Sequence, residues 1–321
     1  MPTISNIIRS ATRTKNDTLK CLTFCRENER YLRLFSQCNC EIYIIPKEGH
    51  SGWKKTVSSL PDNTFVFNNE DGFVHSRPFF DCIIANDRLQ EFDIALSIST
   101  SLHLPIITVD HVSRKTLQKL PAASTVTVTS PLEARVGDIN ICLSEDIKKS
   151  WNTNSQGISI AIPPYIDKEA FEINGHKEGV VVDNNVPEQI MGNLTAKLSE
   201  FNLTPRFPEH SLENIKKAKV YINTWNNIDI KTLEAMAAEC ITISPRTPET
   251  EDIIEHGKNG LLFSDISELP EMIRASESGS YDKILNKAIE TVKEKSIDQE
   301  SFVKKWNQVL AYISETFFLR N

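Results

Sequence analysis

The sequence predicts an α/β protein with two domains, each built on a doubly wound sheet of parallel strands. Residues 19–24, 27–36 and 40–45 are typical of a strand, a helix and a second strand, from their apolar and helix-forming composition. A strand–helix–strand unit joins parallel strands, because an antiparallel pair needs only a short turn. The length of 321 residues suits two domains of ordinary size, each able to bury its own core.

The first half of the chain continues this alternation. Further strands are predicted at residues 64–67, 80–85, 94–98, 105–109, 125–128 and 139–143, with short helical or loop segments between them. The first turn, residues 25–28, contains no glycine, so it does not form a dinucleotide-binding loop. Ligands of doubly wound sheets bind at the carboxyl ends of the strands, where we therefore expect functional side chains.

A stiff proline pair marks the predicted domain boundary. Pro163 and Pro164 favour a rigid, extended joint, which divides the chain into domains at 1–163 and 164–300. The second domain is predicted to be compact. Its predicted strands are 179–182, 220–222 and 240–243, and its predicted helices are 187–201, 212–218, 231–238, 268–275 and 281–295. A last helix, apolar on one side, follows at 302–317.

The composition is that of an ordinary globular protein, with 40% apolar and 25% charged residues. No apolar run approaches the ~20 residues that cross a bilayer, and no basic-then-apolar leader is present, so we expect a cytoplasmic protein without a transmembrane segment. The formal net charge of −7 argues against broad nucleic-acid affinity, although a local basic patch could still bind one. The seven cysteines lack paired zinc-knuckle spacing and are expected to be buried free thiols.

A polar turn before the helix at 231–238 predicts the main binding site. Asn226, Asn227 and Asp229 are helix-start residue types, because their side chains accept hydrogen bonds from first-turn amides. The free N–H groups and partial positive charge of a helix start suit a phosphate. Lys231 and Glu234, three residues apart, share one helix face and would add a cation for phosphates and a carboxylate for sugar hydroxyls.

This sequence resembles the donor-site signature of GT-B-fold glycosyltransferases in two segments, LEAMAA at 233–238 and IEHGKNGLLF at 254–263. The group that they resemble most is the retaining group-1 family, which uses nucleotide-sugars. That family has two glutamates with the spacing of residues 226 and 234: the later binds the ribose and the earlier contacts the transferred sugar. Glu234 matches the later one, whereas Asn226 stands at the earlier position.

The resemblance extends to the first domain and implies two Rossmann-like domains facing a cleft. Residues 80–87, 105–111, 138–145 and 158–167 follow the order of GT-B strands and hinge. In that fold a terminal helix, here 301–321, often packs back on the first domain. The candidate catalytic residues are Asp110, His111 and Asn226, and the candidate nucleotide-sugar-binding residues are Asn227, Lys231, Thr232, Glu234, Arg206 and Arg246.

One family feature is missing from this sequence. The family carries an arginine and a lysine just after the first strand of the second domain, both binding the diphosphate. Residues 181–185 contain no cation, so we expect Arg206 or Arg246 to substitute from other loops.

The resemblance implies a glycosyltransferase that moves a sugar from a nucleotide-sugar to an acceptor hydroxyl, with retention and with no metal or other cofactor. A UDP-sugar is the expected donor, by family frequency. The acceptor would be a glycan or lipid-linked saccharide, or a hydroxymethylated base in phage-type DNA, because the compact second domain and Asn-rich turn are also similar to those of bacteriophage DNA glucosyltransferases. The alternative is a catalytically degenerate GT-B binding or scaffold protein, suggested by Asn226 and the missing cations.

Overall fold

The structure is a computed structural model that divides into two compact units, Met1–Pro163 with Glu300–Asn321, and Pro164–Gln299. It describes residues 18–25, 29–46, 53, 59–67, 80–115, 134–151, 157–172, 175–183, 188–200, 205–206, 212–224, 229–278 and 281–317. Within these ranges no helix has the length and apolar character to cross a membrane.

The first unit is built on a parallel sheet whose described part has seven strands. The strands are β1 (Leu19–Cys25), β2 (Cys40–Pro46), β3 (Thr64–Val66), β4 (Cys82–Ala85), β5 (Ile106–Asp110), β6 (Ile139–Cys142) and β7 (Ile158–Ala161). Their order is β3-β2-β1-β4-β5-β6-β7, and every neighbouring pair is parallel. The order reverses between β1 and β4, which is the doubly wound arrangement.

The second unit contains a smaller parallel sheet, with five described strands. They are β8 (Val180–Val182), β9 (Pro205–Arg206), β10 (Val220–Ile222), β11 (Ile241–Pro245) and β12 (Leu261–Phe263), in the order β12-β11-β10-β8-β9. The predicted α/β class with parallel sheets is therefore confirmed.

Helices cover these sheets. In chain order the described α-helices are α1 (Glu29–Phe35), α2 (Gln90–Leu102), α3 (Glu145–Trp151), α4 (Glu188–Ser199), α5 (Leu212–Lys216), α6 (Ile230–Ala237), α7 (Pro248–Glu251), α8 (Leu269–Ser278), α9 (Asp282–Lys295) and α10 (Gln299–Phe317). In the second unit, α4 and α8 belong to the core cluster on one face of the sheet, around Val182 and Ile222. Helices α5 and α6 belong to the cluster on the other face, around Val181 and Tyr221.

The strand predicted at 94–98 is wrong, because these residues lie in α2. The alternation of Ile94 and Leu96 with smaller side chains imitates the two-residue period of a strand. In the helix both are exposed, at 43% and 46%, while Phe92 and Ala95, three residues apart, are buried against the sheet. The strand predicted at 125–128 lies outside the described residues.

The predicted fate of the cysteines is confirmed where the structure describes them. The free, buried thiols are Cys21, Cys38, Cys40, Cys82, Cys142 and Cys240. In the same described ranges, no cluster of three or more His, Cys, Asp or Glu side chains could hold a metal ion.

Helix α10 follows the second unit in sequence but packs in the first. The Trp306 ring lies 4.6 Å from that of Phe35 on α1, and the Phe302 ring lies 6.3 Å from that of Tyr31. Trp306 and Phe302 are fully buried. The backbone N–H of Asn39 donates to Asn307 Oδ1 at 2.9 Å, which fixes the helix along its polar edge.

We expect Trp306→Ala to destabilise the first unit by about 3–5 kcal/mol, the usual cost of removing a large aromatic side chain from a core. The measurement is the free energy of unfolding in urea. Tyr312→Ala, at a 42% exposed position on the same helix, is the control and should change it by less than about 1 kcal/mol. Equal effects of the two substitutions would contradict the packing described for α10.

Candidate functional site

The candidate site begins at the first turn of α6. Asp229 is the N-cap of this helix, and its Oδ1 accepts hydrogen bonds from the backbone N–H and from Oγ1 of Thr232, each at 2.8 Å. The polar turn therefore opens a helix, as the sequence predicts, with Asp229 as the residue that caps it. The candidate Thr232 is fully buried, with both its amide and its hydroxyl bonded to the cap. Asn226 and Asn227 lie outside the described residues.

Three polar residues form a row at the carboxyl ends of neighbouring strands. Asp183 follows β8, Asn223 follows β10, and Ser244 lies near the end of β11. The backbone N–H of Asp183 donates to Ile222 O at 2.9 Å, and that of Asn223 donates to Ile243 O at 2.8 Å. All three side chains are fully buried. We call Asp183, Asn223 and Ser244 the polar row.

The polar row lies on the sheet face that α6 covers. Side chains two residues apart on a strand share a face, so Asp183 and Asn223 lie on the side of Val181 and Tyr221. The hydroxyl of Tyr221 donates to Asp183 Oδ2 at 3.5 Å. The strand ends and the first turn of α6 therefore enclose a buried polar region.

Lys231 reaches into this region from α6. Its Nζ lies 3.4 Å from Asp183 Oδ1 and 4.0 Å from Asp229 Oδ2. The residue is only 6% exposed, so the structure excludes the interpretation of Lys231 as an ordinary surface lysine. A lysine with so little contact with water needs a counter-ion, and Asp183 supplies it.

Glu234 lies one turn further along α6. It is 6% exposed, which excludes the interpretation of this carboxylate as a solvated helix residue. A carboxylate shielded from water forms stronger hydrogen bonds with hydroxyl groups than an exposed one does. Its assignment to the ribose stays a prediction.

Of the two candidate arginines, the structure describes the side chain of Arg246 only. Arg246 follows β11 and pairs through Nη1 with Glu251 Oε1 at 2.8 Å, with 40% and 48% of the two side chains exposed. Arg206 lies in the short strand β9, and its side chain is outside the described part of the structure. The pair of Arg246 is therefore partly exposed, unlike the buried pair of Lys231.

The second half of the signature, around residues 254–263, forms a turn that leads into β12. Asn259 Oδ1 accepts from the backbone N–H of Glu255 at 2.7 Å, while its Nδ2 donates to Ile253 O and to Thr291 Oγ1, both at 2.9 Å. His256 Nδ1 accepts from the backbone N–H of Leu262 at 3.0 Å.

A glycine completes that turn. A Cβ on Gly260 would lie 2.9 Å from Ile254 Cγ2 and 3.0 Å from Thr242 O, so only glycine fits there. These signature residues therefore fix the backbone, and the structure gives them no visible role in chemistry.

In the first unit, Asp110 forms a buried ion pair that the sequence did not reveal. Arg88 donates from Nε and Nη2 to the two oxygens of Asp110, each at 2.6 Å, and its guanidinium lies 4.0 Å from the centre of the Trp151 ring. The two side chains are 4% and 2% exposed. Burial raises the pKa of Asp110, and the hydrogen bonds from Arg88 act in the opposite direction.

Arg135 extends this network. It is fully buried, and its Nη1 donates to the carbonyl oxygens of Arg88 and Leu89 at 2.8 and 2.7 Å, while its Nη2 pairs with Asp93 at 2.9 Å. Sequence reasoning missed Arg88 and Arg135, because no local pattern distinguishes a buried arginine from an exposed one.

His111 lies next to Asp110 but packs differently. Its ring meets that of Tyr31 edge-on, with centroids 5.1 Å apart. Its Nε2 is buried and has no hydrogen-bond partner within the described structure. Burial lowers the pKa of His111 from 6.5 to about 4, so the imidazole is neutral at physiological pH. A neutral imidazole can accept a hydrogen bond from a hydroxyl group.

Comparison with known families identifies the second unit. Residues 169–276 match the family model described as Glycosyl transferases group 1. The matched segment contains the polar row, α6 and the turn at Asn259. The second unit is a glycosyltransferase domain of the group 1 type. None of the curated proteins compared with the sequence matches it.

Comparison with solved structures shows that this chain, which contains the group 1 domain, has the GT-B fold. HepE from Anabaena, solved with UDP-glucose, is 12% identical, with a TM-score of 0.68 over 91% of this chain and 99% of that chain. Sucrose-phosphate synthase from Thermosynechococcus elongatus is 11% identical, with a TM-score of 0.62 over 93% of this chain and 100% of that chain. The pneumococcal O-GlcNAc transferase GtfA, solved with UDP and GlcNAc, is 11% identical, with a TM-score of 0.54 over 77% of this chain and 61% of that chain. At these identities the likeness concerns the fold.

We expect Asp110→Asn to destabilise the protein by about 3–5 kcal/mol, because it leaves Arg88 buried without a counter-ion. The double variant Arg88→Met/Asp110→Leu should cost less than either single change, since no buried charge remains. Urea unfolding measures both. Glu145→Gln, which breaks the partly exposed pair with Lys148, is the control. Wild-type stability in Asp110→Asn would contradict a structural role for the ion pair.

A second prediction concerns pH. The native state keeps His111 neutral down to about pH 4, whereas the unfolded chain binds a proton near 6.5, so the free energy of unfolding should fall as the pH decreases between these values. His111→Gln should remove this contribution, which is at most about 1.4 kcal/mol per pH unit. Urea unfolding from pH 7 to pH 4 measures it, with the exposed His103→Gln as the control. Identical slopes for His111→Gln and wild type would refute the assignment.

Proposed function

We propose that this protein is a glycosyltransferase that takes a nucleotide-sugar, with a UDP-sugar as the first choice, and transfers the sugar to an acceptor hydroxyl with retention. The observation that carries the proposal is the buried polar region of the group 1 domain. There Lys231 pairs with Asp183 at the carboxyl end of β8, and Glu234 is buried one turn further along the same helix. The complexes of HepE with UDP-glucose and with UDP and glucose support a UDP-sugar as donor.

The arrangement can perform the expected chemistry by positioning and electrostatics. The Glu234 carboxylate would accept hydrogen bonds from the ribose hydroxyls and so fix the nucleotide. The Lys231 ammonium would stabilise the negative charge that develops on the diphosphate as the glycosidic bond breaks. The acceptor hydroxyl would be held beside the anomeric carbon, which converts an encounter of two molecules into a reaction within one complex. We propose that this reaction needs no metal.

For the acceptor we propose a glycan or a lipid-linked saccharide. A hydroxymethylated base in DNA is disfavoured, because a net charge of −7 gives the DNA phosphates no general attraction to the protein. Absence of binding to hydroxymethylated duplex at any salt concentration would remove the DNA acceptor.

The same geometry also supports the alternative of a degenerate binding or scaffold protein. Asp229 places a carboxylate at the start of α6, and Asp183 places another beside Lys231. Negative charges at these positions disfavour a diphosphate. Binding and turnover separate the two functions, because only the enzyme releases nucleotide from a donor.

The decisive experiment is a panel of nucleotide-sugars, measured by thermal shift, calorimetry and release of nucleotide. We expect the wild type to bind and hydrolyse at least one UDP-sugar, with the same rate in the presence of a chelator. A protein that neither binds nor hydrolyses any member of the panel would be a binding or scaffold protein.

Glu234→Gln tests the site itself. We expect it to weaken UDP binding at least about tenfold, the effect of losing hydrogen bonds to a charged group. The loss should be much smaller for 2′,3′-dideoxy-UDP, which lacks the ribose hydroxyls. Glu213→Gln, on the exposed side of α5, is the matched control. Unchanged UDP affinity in Glu234→Gln would remove the ribose assignment.

A further inference from the structure

Lys231 is a buried cation with few hydrogen bonds to the residues that the structure describes. An ammonium group has three N–H donors. Within the described structure, Nζ makes one long hydrogen bond, to Asp183 Oδ1 at 3.4 Å, and its next carboxylate oxygen, on Asp229, lies 4.0 Å away. Buried charges are normally held by shorter and more numerous bonds. Among the described residues, donor capacity at Nζ is therefore left unused.

A second buried group nearby is also unsatisfied. Ser244 belongs to the polar row and is fully buried, yet its Oγ has no hydrogen-bond partner among the described residues. Buried hydroxyls are almost always bonded in native proteins, and exceptions call for a missing partner. A cation and a hydroxyl without full partners among the described residues, on the sheet face that α6 covers, have the chemistry of an anion site.

We propose that Lys231 is the cation that binds the donor diphosphate, and that Asp183 is a positioning residue that holds Lys231 at the strand ends until the diphosphate arrives. This inference rests on the proposed function. It assigns to Lys231 the binding of the diphosphate, for which the resembled family uses an arginine and a lysine after the first strand of the second domain. Residues 181–185 contain no such cation. The hydroxyl of Ser244, two strands from Asp183 in the polar row, would donate to another oxygen of the same diphosphate.

The two anions act on Lys231 as alternative counter-ions. Without any counter-ion a buried ammonium is unstable, so Asp183 is needed in the free protein. When the diphosphate binds, it supplies negative charge of its own, and the carboxylate of Asp183 then repels it. Asp183 should therefore lower the affinity for the diphosphate while keeping the site assembled. Arg246 lacks this arrangement, because its partner Glu251 is half exposed.

The test compares a nucleotide with its nucleoside, so that only diphosphate contacts are measured. The diphosphate preference is the ratio of the uridine to the UDP dissociation constant, from calorimetry on the full chain. We expect Lys231→Met to lower this preference at least about fivefold and Asp183→Asn to raise it at least about fivefold, the lower range of coupling between sites. Lys231→Arg should retain most of the preference.

A double variant keeps the test valid if a single variant fails to fold. Lys231→Met/Asp183→Asn replaces the ion pair by neutral groups of similar size, which proteins tolerate better than one unpaired charge. It should bind uridine as the wild type does and lack the diphosphate preference. Lys287→Met/Glu290→Gln removes an exposed ion pair of the same unit, with the same change in charge, and should leave the preference unchanged.

The possible results are distinct. A wild-type diphosphate preference in Lys231→Met or in the double variant overturns the assignment of Lys231. An unchanged or lower preference in Asp183→Asn overturns the inference that the Asp183 carboxylate competes with the diphosphate for Lys231. In both cases the proposed function stands, because the wild type binds UDP. If the wild type binds none of UDP, uridine, ADP and adenosine, the proposed function and this inference are both overturned.

Discussion

The register of the parallel strands in the second unit is the constraint on which the candidate site depends. Val182, Ile222 and Ile243 are partners across β8, β10 and β11. The next residue on each strand therefore falls in one row, which brings a carboxylate, an amide and a hydroxyl together. A slip of one residue in β8 would turn Asp183 to the opposite face, into the apolar cluster beneath α4 and α8. The ion pair with Lys231 exists only in the observed register.

Much of the fold could be predicted from local patterns. The strands around Leu22 and Val181 and the helix that contains Glu234 have strong local signals, because burial of a strand or of a helix face imposes a period on the sequence. The burial of Lys231 could not be predicted in this way. Its partner Asp183 lies 48 residues away in sequence, and only the pairing of strands brings the two together. The same limit hid the pairing of Arg88 with Asp110, and a misleading local period made part of α2 resemble a strand.

The signature of the group 1 family divides into two parts with different physical roles. Glu234, in its first part, belongs to a helix that also carries Lys231, and both side chains are buried. Asn259, His256 and Gly260 satisfy backbone groups and allow a close approach of two chain segments, so that β12 can join the sheet. Residues of this second part are therefore markers of the fold. Chemistry has to be judged from Glu234 and from the position eight residues before it, where this chain has Asn226.

Helix α10 sets the order in which the protein can be completed during translation. Phe35 leaves the ribosome early, yet its partner Trp306 is made only after the entire segment Pro164–Gln299. The second unit is continuous in sequence, so all of its strands are available before the first unit has its last helix. Domains that fold as they emerge do so from the amino terminus when each is continuous. Here the first unit is begun before the second and completed after it, because Phe35 on α1 meets Trp306 only once α10 has been made.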